Sequence, residues 1–245
     1  MKQNTKNWLK NVKRIWVAMG IVFTLWLVYS MQAKNLPDGL FESNALITFE
    51  EHKEYFRYTP THQFDEVLIF FPGALVDTRA YLPLSKQLAE KNISVYLIKM
   101  PLRQARLGYH KPISLNLLSD ESKTYTLVGH SQGAKMAAQL VYENPALFDR
   151  LVLIGTTHPR DISIANSSIP IMKIYGSRDG VADENTIMAN KSKLPSHTQF
   201  LKIEGANHAQ FAYYGFQLGD SAADIDRETQ QSITLTNILS FISEN

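Results

Sequence analysis

Cysteine is absent from the 245-residue chain. Disulfide scaffolds, thiolate zinc sites, iron–sulfur clusters and a cysteine nucleophile are thereby excluded from its chemistry. Acidic residues are missing from the first 34 positions, where Lys2, Lys6, Lys10, Lys13, Arg14 and Lys34 make +6. The chain as a whole has 25 basic and 23 acidic residues, so positions 35–245 keep 19 and 23, a net of −4. The basic surplus belongs to the N-terminus alone, and a mildly acidic body argues against a nucleic-acid partner. Glycine-rich phosphate loops are also missing: no G-x-G-x-x-G follows a strand, and there is neither a Walker lysine loop nor an H-E-x-x-H. The remaining composition, 44% hydrophobic and 20% charged, is that of a folded globular chain long enough for one α/β or all-β domain.

One long apolar run stands out. Residues 15–33 (IWVAMGIVFTLWLVYSMQA) carry no charge. As a helix rising about 1.5 Å per residue they span roughly 28 Å, close to the hydrocarbon thickness of a bilayer. Trp16, Trp26 and Tyr29 lie towards its ends, where aromatics favour the headgroup region. Five cations precede the run, which places the N-terminus in the cytoplasm and the body across the membrane. A cleaved signal peptide is the rival reading, but an A-x-A-like site is lacking, because Met31 occupies the second small-residue position. The expected organisation is a basic stub and transmembrane anchor over 1–34, a linker over 35–44, and one domain over 45–245.

Within that domain, strand-length apolar runs alternate with helix-period segments. Residues 45–49 and 54–58 read as a hairpin, and 67–71 (VLIFF) as a strand buried on both faces. Further strands are expected at 93–98, 124–128, 151–154, 169–175 and 199–203, with helices at 81–88, 134–142 and 183–193. A last helix carries Leu235, Ile238, Leu239 and Ile242, with Asp224 or Asp226 as its N-cap. Such interleaving predicts a mostly parallel sheet covered on both faces, whose ligands bind at the carboxyl ends of the strands.

The polar residues at those strand ends carry the chemistry. Residues 124–128 run into Gly129-His130-Ser131-Gln132-Gly133 and then a helix, a G-x-S-x-G nucleophile elbow in its strand–turn–helix setting. Gly129 and Gly133 are expected where a side chain would collide with the neighbouring helix and strand. A serine hydroxyl needs a base, and the base needs an orienting carboxylate, in the chain order Ser, acid, His. Asp179, after the strand at 169–175, is the expected acid, with Asp183 as its rival and as a natural helix cap. His208, after the strand at 199–203, is the expected base. His158 is a candidate pocket residue, and with Asp161 forms a metal-like pair lacking a third ligand, so no metal is expected. His130, inside the elbow, is expected to point away from the nucleophile and pack. Oxyanion donors are expected from the backbone of Gln132 and of Ala74, with Leu75 as the fallback. Arg103 and Arg106 lie at the same end of the sheet and read as solvated loop charges.

These contexts resemble the alpha/beta-hydrolase superfamily. FFPGALVD, GHSQGA, YGSRDG and above all EGANHAQFAYYG are similar to a family of small bacterial hydrolases that often carry an N-terminal membrane anchor. The resemblance covers roughly residues 45–243. It departs at the oxyanion loop, which reads Pro-Gly where many members of the superfamily have His-Gly. It implies an alpha/beta-hydrolase fold with helices on both faces of the sheet, and cleavage of an ester or related acyl bond without a cofactor. The segment between the strand at 151–154 and the acid's strand, residues 155–168, is too short for a large cap. Together these features predict a serine hydrolase anchored in the bacterial cell membrane by one helix, its catalytic domain outside, acting on a small-molecule or lipid-like acyl substrate. Acyl transfer at the membrane surface, or a non-catalytic binding protein on the same fold, are the alternatives.

Overall fold

A computed structural model describes residues 2–157 and 161–244, with side chains from Trp8 onward. Eight strands form one sheet: β1 (Ile47–Glu51), β2 (Tyr55–Pro60), β3 (Glu66–Phe71), β4 (Ser94–Ile98), β5 (Thr124–His130), β6 (Arg150–Ile154), β7 (Ile171–Gly176) and β8 (Gln199–Ile203). Their order is β1-β2-β4-β3-β5-β6-β7-β8. β1 and β2 are antiparallel to their neighbours, and every pairing from β4 to β8 is parallel. The helices are α1 (Lys2–Ser30), α2 (Leu82–Ala89), α3 (Lys111–Ser114), α4 (Gln132–Glu143), α5 (Glu184–Ala189) and α6 (Arg227–Glu244).

The pleat of β3 explains its continuous apolar run. Leu68 and Phe70 enter the core beneath α2 and α6, while Val67, Ile69 and Phe71 enter the one beneath α4. Successive side chains of a strand point to opposite faces, so a strand covered on both must be apolar at every position. Each large side chain so enclosed contributes about 1.5–3 kcal/mol. Between β6 and β7, among the described residues, no helix intervenes and no large cap rises over the sheet.

Several boundaries differ from expectation for local reasons. β7 starts after Pro170 rather than at Ile169, since proline has no N–H to give a ladder. The helix expected at 183–193 breaks into α5 and a 3₁₀ turn over Lys191–Lys193. Asp226 caps α6 by accepting from Thr229 N–H at 2.7 Å, whereas Asp224 is drawn off to Arg178.

The N-terminal run departs most. α1 contains a 23-residue stretch, Trp8–Ser30, apolar enough to cross a membrane and unburied along its apolar window, with only Ser30 at its end buried against the body. It stops at Ser30 rather than continuing to Ala33. Met31 to Lys34 instead join the body: Asp77 N–H donates to Met31 O, Gly215 N–H to Ser30 O and Lys34 N–H to Tyr213 O, and Ala33 bridges Tyr214. The stretch 35–44 is not a free tether either, since Leu40 is buried and its carbonyl accepts from the Tyr58 hydroxyl.

Candidate active site

The carboxyl ends of β5, β7 and β8 carry the three expected residues, and Asp179 and His208 meet there. β5 runs through Gly129 and His130 into Ser131, which sits at φ 54°, ψ −119° and leads directly into α4. A positive φ is costly for a residue with a Cβ, so the surrounding backbone must impose it. Two close approaches do so. A Cβ at Gly129 would strike the backbone of Gly133 and Ala134, and one at Gly133 would strike the carbonyls of Phe71 and Pro72. The elbow is thus wedged between α4 and the end of β3.

Asp179 and His208 form a buried pair, Nδ1 to Oδ2 at 2.9 Å, with both side chains inaccessible to solvent. The other oxygen of Asp179 accepts from Val181 N–H (2.9 Å) and Ala182 N–H (2.6 Å), which fixes the carboxylate. Asp183 is engaged elsewhere, accepting from Thr186 N–H and Oγ1 at the start of α5. It is therefore Asp179, and not Asp183, that meets His208. The free ring nitrogen, Nε2 of His208, is buried and has no hydrogen-bond partner among the described residues, and so is left available as an acceptor.

The loop that carries His208 is held from several directions. Asn207 donates to Ser221 O (2.8 Å) and accepts from Gln210 N–H (3.0 Å), while buried Gln230 of α6 bonds both Asn207 N–H and Asn207 O. Asp220 accepts from His208 N–H (3.1 Å), Ala209 N–H (2.9 Å) and Gly180 N–H (3.2 Å), so one carboxylate joins the histidine's loop to the acid's loop. Neither Asp220 nor Gln230 was legible from spacing. The family-like stretch Asn207-His208-Ala209-Gln210 was the only signal near them, and it acts through contacts more than ten residues away.

His130 is fully buried and does pack, but against His208, with ring centroids 4.6 Å apart. The Tyr81 hydroxyl donates to His130 Nδ1 (2.8 Å) and accepts from Gly73 N–H (2.9 Å). Burial, and next the charge of His208, hold His130 well below the ordinary imidazole value, so it stays neutral. Burial likewise pushes the Tyr81 phenol up and keeps its proton in place.

Of the proposed oxyanion donors, Leu75 is unavailable, because its N–H donates to Arg103 O at 2.7 Å. Gly73 N–H is spent on Tyr81, whereas Ala74 N–H has no partner among the described residues, and Gln132 occupies the first position of α4, where an N–H lacks an intrahelical acceptor. Arg103 is not a solvated loop charge: it reaches Asp77 (3.4 Å) and Gln32 Oε1 (3.1 Å) and ties this loop to the stub of α1. Arg106 is exposed. His158 lies outside the described residues. A cavity of about 170 Å³ opens beside Ser131, lined by Gln132, Lys135, Gly155, Thr156, Val181 and Ala182.

Comparison with known proteins agrees with the fold. The sequence model of a family described as "Alpha/beta hydrolase family" matches residues 67–232. Among solved structures the chain is similar to Est1E from Butyrivibrio proteoclasticus (10% identity, TM-score 0.56, 81% of this chain and 100% of that one). It is similar also to carboxylesterase CesB from Bacillus subtilis (12%, 0.55, 84% and 94%). The mouse alpha/beta hydrolase domain-containing protein 10 aligns comparably (10%, 0.55, 82% and 99%). At these identities the likeness is one of fold. A search of curated protein sequences finds no match.

Proposed function

Because this chain belongs to the alpha/beta hydrolase family, we propose that it is a serine hydrolase that cleaves carboxylic esters through an acyl-enzyme. The observation that carries this reading is the buried Asp179–His208 pair, with its unpartnered Nε2, beside a serine on a strained elbow. Ser131 Oγ attacks the acyl carbonyl while His208 Nε2 takes its proton. Asp179 keeps the proton on Nδ1 and stabilises the imidazolium that forms. The N–H groups of Gln132 and Ala74 bind the developing oxyanion, each such donor being worth about 3–4 kcal/mol in comparable sites. His208 then returns the proton to the leaving alcohol, and activates the water that releases the acid. A cavity of about 170 Å³ favours a short acyl group.

The exposed apolar helix Trp8–Ser30 supports single-pass anchoring, and the five cations before residue 15 favour a catalytic domain on the outer face. The test of the chemistry is fluorophosphonate labelling of the full-length protein. Label is expected on Ser131 alone and is lost in Ser131→Ala, together with ester hydrolysis. Hydrolysis retained by purified Ser131→Ala overturns the mechanism.

A further inference from the structure

Among the described residues, the lining of the cavity beside Ser131 holds one ionisable side chain, Lys135, which lies one helical turn after Ser131 and donates its backbone N–H to the Ser131 carbonyl (3.1 Å). Ser131 and Lys135 both line this cavity, so the nucleophile and this amine share one wall. No ion pair reaches Lys135 among the described residues. Behind it, Lys173 of β7 is 1% exposed, and its Nζ has no partner among the described residues. Strand alternation puts Lys173 on the same side as Ile171, the face covered by α4.

The neighbouring carboxylates are committed elsewhere. Asp179 is held by His208, Asp183 by Thr186, and Glu184 by Tyr175 and Lys202. The half-buried Lys135 on the cavity wall therefore faces it without a carboxylate partner among the described residues, which leaves an anionic ligand to supply the counter-charge. The start of α4 adds its positive end to the same space.

We propose that this cavity takes an ester bearing a carboxylate or similar anion close to the scissile carbonyl, and that Lys135 selects it. The inference rests on the esterase reading and deepens it by naming a substrate class. The ammonium of Lys135 meets the anion as the carbonyl settles over Ser131, so charge on the substrate orients the bond to be cut.

The test uses the full-length protein in neutral detergent micelles and two matched ester pairs. Mono-4-nitrophenyl glutarate against 4-nitrophenyl valerate puts the anion in the acyl part. 3-Carboxyphenyl butyrate against phenyl butyrate puts it in the leaving group. In at least one pair the anionic ester is expected to have the higher kcat/KM, and raising the ionic strength should shrink the ratio. Lys135→Met is expected to lower that ratio tenfold to a hundredfold, the scale of a charged hydrogen bond. Lys135→Glu should reverse the preference and Lys135→Arg should keep it. Turnover of the neutral esters with no charge preference in either pair overturns the inference and leaves the esterase reading standing. If none of the four esters is cleaved the esterase reading fails, and calorimetry with glutarate then decides: binding lost in Lys135→Met upholds the anion site, and no binding by the wild type overturns it.

Discussion

The ring of His130 lies 4.6 Å from that of His208, held there by the Tyr81 hydroxyl at 2.8 Å from its Nδ1. A neutral imidazole, rather than an aliphatic side chain, thus forms the floor beneath the proposed base. Tyr81→Phe leaves both the His130 nitrogen and the Gly73 N–H without partners in a buried place. It is expected to cost about 1–3 kcal/mol per orphaned group by urea denaturation. His130 also gives stability a pH dependence. Its folded value is depressed, so as pH falls below its unfolded value of about 6.5 only the unfolded chain gains the proton, and stability declines. His130→Gln should flatten that acid limb.

Asp179→Asn presents His208 with a donor in place of an acceptor and is expected to lower kcat by on the order of 10³–10⁴, as in other triads. Asp183→Asn touches only the cap of α5. Its effect should appear in stability, at most about 2 kcal/mol, with kcat little changed. A larger kcat loss in Asp183→Asn than in Asp179→Asn reverses the assignment.

Asp220 accepts from four backbone N–H groups, of Gly180, His208, Ala209 and Ser221, and acts through the loops it joins. Asp220→Ala is expected to lower kcat at least tenfold while KM moves little, since the base loses its register with the acid and not its pocket. Asp220→Asn keeps one acceptor oxygen and should recover part of the loss. Equal effects on thermal stability and none on kcat would show that the carboxylate serves the fold alone.

Lys173 makes the protein less stable than it need be at neutral pH. Burial, with a smaller push from Lys135, pulls its pKa from 10.5 down to about 7. Between those values the unfolded chain keeps a proton that the folded chain has released, so stability should rise with pH from about 7 towards 10 by at most about 1.4 kcal/mol per unit. Lys173→Met should remove that slope and raise Tm at pH 7. A slope unchanged in the variant assigns the titration to another group.

The stretch between helix and body is open to truncation. A chain starting at Ser30 retains the bonds to Asp77, Tyr213 and Gly215, whereas one starting at Asn35 loses them with the Ala33–Tyr214 bridge. At about 0.5–1.5 kcal/mol for each hydrogen bond, the shorter chain is expected to be about 2–4 kcal/mol less stable to urea. Equal midpoints for the two would show that the strap contributes nothing.

What the sequence made legible was local. VLIFF announced a strand covered on both sides, and G-H-S-Q-G announced the elbow, because each pattern is enforced by contacts within a few residues. Asp179 and His208 followed from chain order at successive strand ends. Illegible were the interactions that depend on tertiary closeness: Asp220 reaching back across the histidine loop, Tyr81 donating to a histidine 49 positions on, and Leu75 giving its N–H to Arg103. The apolar run was read to Ala33 because hydropathy does not distinguish a residue in lipid from one packed on protein, and Met31 and Ala33 are packed on protein.

In the proposed anchored arrangement, the strap over residues 30–34 also sets where this protein works. With α1 across a membrane, bonds to Asp77, Tyr213 and Gly215 mount the body like a bracket, and the altitude of Ser131 above the lipid becomes a fixed property of the fold. Patrol is then two-dimensional: the enzyme scans a thin sheet of space parallel to the surface as it diffuses laterally. An added flexible insert after Lys34 would lengthen the chain without lifting the site, because the bonds that set its height precede the insert.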